Sequence, residues 1–309
     1  ERYETAQQYF NEGYYTTAMQ LYQNYPANGP HYLTSFSQVA RCLYLLGEYE
    51  NALSRFKQID PQMCKGLNFN HNFTGLRNTI GINRCYFSCE KENRTIDPRF
   101  ASVSSDVINH LIYSGEAYGR LSFYTEALTQ YKKALWLSQE QQLEGMNAIC
   151  GILIAKTLIK LNVMKEAEVY FTGAKDYYEC WIKPFQDNNQ KIQFLNAYSW
   201  CVSKFEQLKK PENFNTLYQG IPDDHPSAIY HLRKLALECD TRSRKIEQLE
   251  RVLQLARRFF PHHPYIAKIY RDLGQIYSDL TEESKKRELY QQALTEWKHQ
   301  IKHLQNIDE

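Results

Sequence analysis

Small and aromatic residues return along this chain at a spacing of 34. Gly13, Tyr15, Ala18 and Tyr22 reappear as Gly47, Tyr49, Ala52 and Phe56, and Ala6 reappears as Ala40. The same order of small residue, aromatic, turn, small residue and aromatic runs through Leu111, Gly115, Tyr118, Tyr124, Ala127, Tyr131 and Ala134. A period of this length with a turn near its middle predicts two antiparallel helices per unit. One such pair cannot bury its apolar stripe alone, so successive pairs must stack and share a core. The small residues mark where helices touch: Ala6 and Ala40 on first helices, Ala18, Ala52 and Ala127 on second ones. A larger side chain there would push the axes beyond the usual ~8–10 Å. Gly13 and Gly47 fall between helices, where a turn favours a residue that tolerates positive φ. Tyr9, Tyr22, Phe56, Tyr118 and Tyr131 are expected to fill the gaps beside the small residues.

This arrangement resembles the tetratricopeptide repeat, a pair of antiparallel helices of the same length. The resemblance implies an all-α, right-handed superhelical solenoid of about six to seven helix pairs. On this reading residues 1–60 hold repeats one and two, 61–105 an irregular helix pair with a long loop, and 106–182 two further repeats. A degenerate pair follows at 183–224, then two longer C-terminal repeats and a cap helix at 225–309. The second pair is expected to stop at Asp60-Pro61. From Ala52 to Ala127 is 75 residues, seven more than two units, so the interval reads as a degenerate pair centred on Leu76 to Glu90. His225-Pro226 and His263-Pro264, 38 residues apart, open the last two units, whose length is similar to that of kinesin light chain repeats. Lys286 at a usually small position, within Lys285-Lys286-Arg287, suits a terminal pair with a solvated outer face.

Composition narrows the function classes. Hydrophobic residues make up 43% and charged residues 23% of 309 positions, enough for a sizeable core. The 37 basic and 35 acidic groups leave a net charge of +2, so nothing draws the whole chain to nucleic acid or an acidic membrane, and any electrostatic function is local. The longest apolar stretch, Ala148 to Leu161, is too short to span a bilayer and is interrupted by Lys156 and Lys160. No signal peptide opens the sequence, and its first residue is not Met, so it reads as a piece of a longer chain. Eight cysteines are scattered through apolar helical text, which predicts reduced, mostly buried thiols and a cytoplasmic or nuclear compartment. The sequons at Asn72 and Asn93 point the other way, but such triplets arise often in Asn-rich text.

Candidate chemistry is sparse. A phosphate-cradling glycine loop, a paired-cysteine zinc ribbon and a Gly-x-Ser-x-Gly elbow are absent, so neither catalysis nor a cofactor is expected. Cys64, His71, Cys85 and Cys89 form the one metal-like grouping, but Cys64 and His71 do not match a ligand spacing, and no metal is assigned. His262-His263 reads as a repeat junction. Arg242, Arg244, Lys245, Arg251, Arg257 and Arg258 alternate with apolar residues as an amphipathic helix with a solvated basic face.

The resemblance implies that the first helices of successive pairs line a groove for a peptide or partner segment. The matching registers are Gln7 and Phe10; Ser37, Arg41 and Tyr44; Asn109, Glu116 and Arg120; Ile152, Lys156 and Lys160; and Lys268, Arg271 and Gln275. Basic groups outnumber acidic ones there, which fits an acidic or phosphorylated segment held by Arg41, Arg120, Lys156 and Lys160. Tyr3, Gln7 and Gln38 occupy the places of the Lys and Asn residues that grip chaperone C-termini in related repeats, so that clamp is not expected. The leading expectation is therefore a scaffold or adaptor for a protein or peptide, alone or in a multi-subunit complex. An RNA-binding solenoid, a regulatory part of a larger enzyme and a peptide-responsive sensor are the alternatives.

Overall fold

A computed structural model of the chain describes residues 2–65, 67, 105–141, 143–181, 188–202, 204, 224–260, 262–278 and 283–305. The described residues contain no strand. Their helices are α1 (Arg2–Asn11), α2 (Tyr15–Gln23), α3 (Tyr32–Leu45), α4 (Tyr49–Met63), α5 (Ser105–Arg120), α6 (Tyr124–Glu140) and α7 (Glu144–Lys160). There follow α8 (Met164–Trp181), α9 (Asn188–Val202), a 3-10 turn at Pro226–Ala228, α10 (Ile229–Glu238), α11 (Arg242–Phe259), α12 (Pro264–Ser278) and α13 (Glu283–Gln305). Helices α1/α2, α5/α6, α7/α8, α10/α11 and α12/α13 pack as consecutive pairs, which gives an all-α helical-repeat fold.

The 34-residue grammar has a steric basis. A Cβ added to Gly115 would fall 2.6 Å from the Tyr131 ring, and one added to Gly274 would fall 2.9 Å from Tyr290. A small residue on the first helix thus admits an aromatic ring from the second, 16 positions on. Ala6 and Tyr22, Ala40 and Phe56, and Ala155 and Phe171 keep that offset, and all six are buried.

The turns inside the pairs share one design. The second residue after the first helix is left-handed in four of them: Gly13 at φ 87°, Gly47 at 88°, Ser122 at 67° and Asn162 at 60°. In the first of them the Gly13 N–H donates to the Phe10 carbonyl and the Tyr14 N–H to that of Tyr9, and the other three repeat the pattern. These are Schellman caps, which satisfy the last carbonyls of a helix and bring a side chain after the turn onto one in its last turn. Tyr14 meets Tyr9 edge-on at 6.2 Å and Phe123 meets Tyr118 at 6.3 Å. Tyr9, expected as an interior filler, is therefore 38% exposed and belongs to a cap.

The chain divides into two compact units, Glu1–Tyr25, Cys42–Glu50 and Gly220–Glu309 in one, Pro26–Arg41 and Asn51–Gln219 in the other. In the first, helices α10 to α13 surround a core that includes Leu249, Val252, Ala256, Ile266, Tyr270 and Leu273, with Leu46 packed against it. The two His-Pro dipeptides, at the starts of the Pro226–Ala228 turn and of α12, both meet glycine turns of the N-terminal helices. Pro226 lies against Gly13 and Pro264 against Gly47. His225 Nε2 donates to the Asn11 carbonyl at 2.9 Å, while His263 Nδ1 accepts the Tyr265 N–H at 3.0 Å and caps α12. Arg258 donates to the Tyr14 hydroxyl at 3.3 Å, and Tyr14 packs on Phe259 at 5.4 Å.

In the second unit α7 is enclosed by α6, α8 and α9. Ala148, Ile149, Cys150, Ile152, Leu153, Ile154 and Ala155 are all buried, as an apolar run around the whole helix demands. Helix α4 passes through Asp60-Pro61 and ends at Met63 rather than stopping at the proline. Three polar contacts join α3 directly to α5. Thr34 donates to Asp106 at 3.2 Å, Ser37 Oγ meets His110 Nδ1 at 3.2 Å, and Arg41 donates to the Tyr113 hydroxyl at 3.3 Å. From α4, Phe56 lies edge-on to His110 at 5.2 Å. The second and third recognisable repeats are thus direct neighbours. The pair expected around Leu76 to Glu90, the sequons, and His71, Cys85 and Cys89 lie outside the described residues.

Candidate partner-binding surface

The expected groove residues separate into two sets. Phe10, Ser37, Arg41, Tyr44, Glu116 and Ile152 are buried, each 8% exposed or less. Phe10 packs on Tyr15 at 5.4 Å. The Arg41 guanidinium sits 4.3 Å above the Tyr113 ring and donates to Gln38 at 3.1 Å. A strip of first-helix residues open to a partner along its whole length is therefore not what these positions form. Gln7 and Asn109 are half-buried, and Gln7 accepts from the Tyr22 hydroxyl at 3.0 Å.

Arg120 and Lys160 are exposed and Lys156 half-buried. In the first unit Arg271 and Gln275 are exposed and Lys268 half-buried, its ammonium 5.5 Å from the Tyr265 ring centre. Arg233 donates through Nε to Asp272 at 2.5 Å, and Arg271 Nη2 lies 3.7 Å from the other oxygen of the same carboxylate. Of the basic stretch on α11, Arg257 bonds the Tyr270 hydroxyl and Arg258 that of Tyr14, leaving Arg242, Arg244 and Arg251 on the exposed side.

One buried chain of polar groups has the connectivity of a hydrolase triad. Ser37 Oγ meets His110 Nδ1, and His110 Nε2 meets Asp60 Oδ1, each at 3.2 Å. The hydrogen bond from His110 holds the Asp60 carboxyl below its ordinary range against the opposing effect of burial, and Lys133 adds a smaller pull. Its candidate nucleophile is sealed, since Ser37 is 3% exposed and His110 fully buried. The chain instead joins α3, α4 and α5, satisfying groups that would be costly to bury alone. Burial pushes the neighbouring Cys64 thiol up to about 12, and it donates to Asp60 at 3.7 Å.

The best-developed exposed cluster lies between the ends of α7 and α9. Lys156 and Lys160 are one turn apart on α7, while Trp200 closes α9 and Lys204 follows it. The Lys160 ammonium is 4.9 Å and that of Lys204 5.6 Å from the Trp200 ring centre. Lys156 Nζ is 3.9 Å from Glu116, whose carboxylate also accepts the Tyr131 hydroxyl at 3.0 Å. Trp200 and Lys204 escaped the register argument because they belong to a weak repeat. The four-residue spacing of the two residues was the signal available for them.

No protein-family model matches the sequence, and a search of curated proteins finds no match. Solved structures similar in build include the apo form of RapI, at 11% identity over 97% of both chains with a TM-score of 0.49. BtubC (BKLC) from P. vanneervenii shares 15% identity over 92% of this chain and 89% of that one, with a TM-score of 0.36. Yeast Tom70 shares 13% over 95% of this chain and 68% of that one, at 0.37. The helix pairs of this chain show an all-α helical-repeat array. The likeness of its last two units to kinesin light chain repeats rests on their 38-residue spacing alone. No described helix is long and apolar enough to cross a membrane.

Proposed function

We propose that this chain is an interaction scaffold that holds an acidic or phosphorylated segment of a partner protein. The observation that carries the reading is the concentration of accessible cations near the C-terminal ends of α5 and α7, namely Arg120, Lys156 and Lys160. Cations there also sit favourably at the negative ends of helix dipoles. An extended acidic chain would supply charge-assisted acceptors to them. Arg41 is excluded from the set, because its guanidinium is buried against Tyr113.

Affinity capture tests this, with wild type beside Arg120→Glu, Lys156→Glu and Lys160→Glu combined. The expected result is a retained protein that disappears from the variant and is released from wild type by salt. A partner set and salt dependence identical in both proteins would overturn the proposal.

A further inference from the structure

The Lys160–Trp200–Lys204 cluster places two like charges around one ring, an arrangement that costs repulsion and calls for a reason. Both side chains are exposed, and among the described residues neither ammonium lies in a salt bridge. The third cation nearby, Lys156, has Glu116 beside it. What faces solvent here is therefore a pair of positive charges. The half-buried indole restrains them through cation–π attraction, so they lose less freedom when a ligand arrives.

We propose that Lys160 and Lys204, seated on Trp200, receive a phosphorylated serine or threonine of the partner segment. This deepens the reading given under Proposed function and rests on it. The charge count favours phosphate over carboxylate. A phosphoryl group carries close to two negative charges and three acceptor oxygens, so it can take a hydrogen bond from each ammonium, whereas one carboxylate neutralises only one of them. Lysine suits the task, since a compact, freely rotating ammonium matches a tetrahedral anion without the planar geometry an arginine fork imposes. The ring also argues against RNA. A base needs an open aromatic face to stack on, and Trp200 is engaged by two cations.

The test is a peptide array with a central phosphoserine or phosphothreonine and randomised flanks, beside matched arrays carrying unmodified Ser or Thr, or Glu, at the centre. Wild type, Lys160→Met/Lys204→Met and Trp200→Phe are applied at equal concentration, and circular dichroism melts check that the variants fold. The expected result is at least tenfold stronger retention of phosphorylated peptides than of either matched set. The double lysine variant loses that preference, and Trp200→Phe keeps it in weakened form. If wild type holds the Glu or unmodified peptides equally well, or the lysine variant keeps the preference, the phosphate site is wrong while a peptide-binding scaffold still stands. Retention of no peptide overturns both readings. Displacement of bound phosphopeptide by a single-stranded RNA at lower concentration than by inorganic phosphate assigns the cluster to nucleic acid and overturns this one.

Discussion

A Cβ placed on Gly13 would come within 2.5 Å of Pro226 Cδ, across 213 positions of sequence. The left-handed backbone alone does not explain the glycine, because Ser122 and Asn162 hold the same conformation at the same point of later repeats. What separates them is the neighbour. Gly13 and Gly47 have a proline ring packed on them, and close approach is the property that only glycine supplies.

Gly13→Ala should therefore lower stability by about 3 kcal/mol, adding the ~1–2 kcal/mol of a left-handed alanine to an overpacking term of similar size. Pro226→Ala in the same chain should recover part of the loss, a coupling that urea unfolding of the double-mutant cycle measures. Ser122→Gly should be neutral or stabilising by up to about 1 kcal/mol. A Gly13→Ala cost unaffected by Pro226→Ala would show that φ strain alone is responsible.

Two glycines on α5 should respond in opposite directions. Alanine at Gly115 drives a methyl into the Tyr131 ring and should cost about 2–3 kcal/mol. The nearest atoms to a Cβ on Gly119 are 3.9 Å away, so Gly119→Ala should stabilise by about 0.5–1 kcal/mol through helix propensity. Thermal melts of the two variants give the comparison.

The Asp60–His110 contact should appear in the acid limb of stability. The folded state holds the Asp60 carboxyl below its ordinary 3.8, chiefly through the hydrogen bond from His110. Its contribution is present above that ordinary value and is lost as pH falls through the lower folded value. The stability difference between wild type and Asp60→Asn should be constant above about pH 5 and shrink below pH 4. Because the Asp60 side chain is 34% exposed, solvent screening keeps the effect modest. A difference unchanged down to pH 2 would contradict this linkage.

The interior thiols should resist modification. Burial pushes the Cys201 thiol up to about 12 and raises that of Cys150 further. At pH 8 both should stay unlabelled by iodoacetamide in the native protein and react fully in urea, as peptide mapping would reveal. Native labelling within minutes would mean that α7 or α9 opens readily.

Much of this architecture was legible in the sequence because repeat packing leaves a local record. Gly115 with Tyr131, and Ala40 with Phe56, are each 16 residues apart and appear in any register comparison. The meeting of Gly13 with Pro226 is not local, although two glycines 34 apart and two His-Pro pairs 38 apart were a hint of matched ladders. The binding surface was harder to read for a different reason. The register assigns Ser37 and Arg41 to an open face, yet α5 lies directly against them through contacts 73 and 72 positions apart in sequence, a distance at which no local pattern names the neighbour.

Each of the three pairs that join α3 to α5, Thr34 with Asp106, Ser37 with His110 and Arg41 with Tyr113, spans 72 or 73 positions of sequence. The seam is thus a long-range one, made by side chains of the two helices themselves. Contacts so distant in sequence stabilise only after their loop-closure entropy has been met, so the α3–α5 seam is expected to form late in folding, after the helix pairs that flank it.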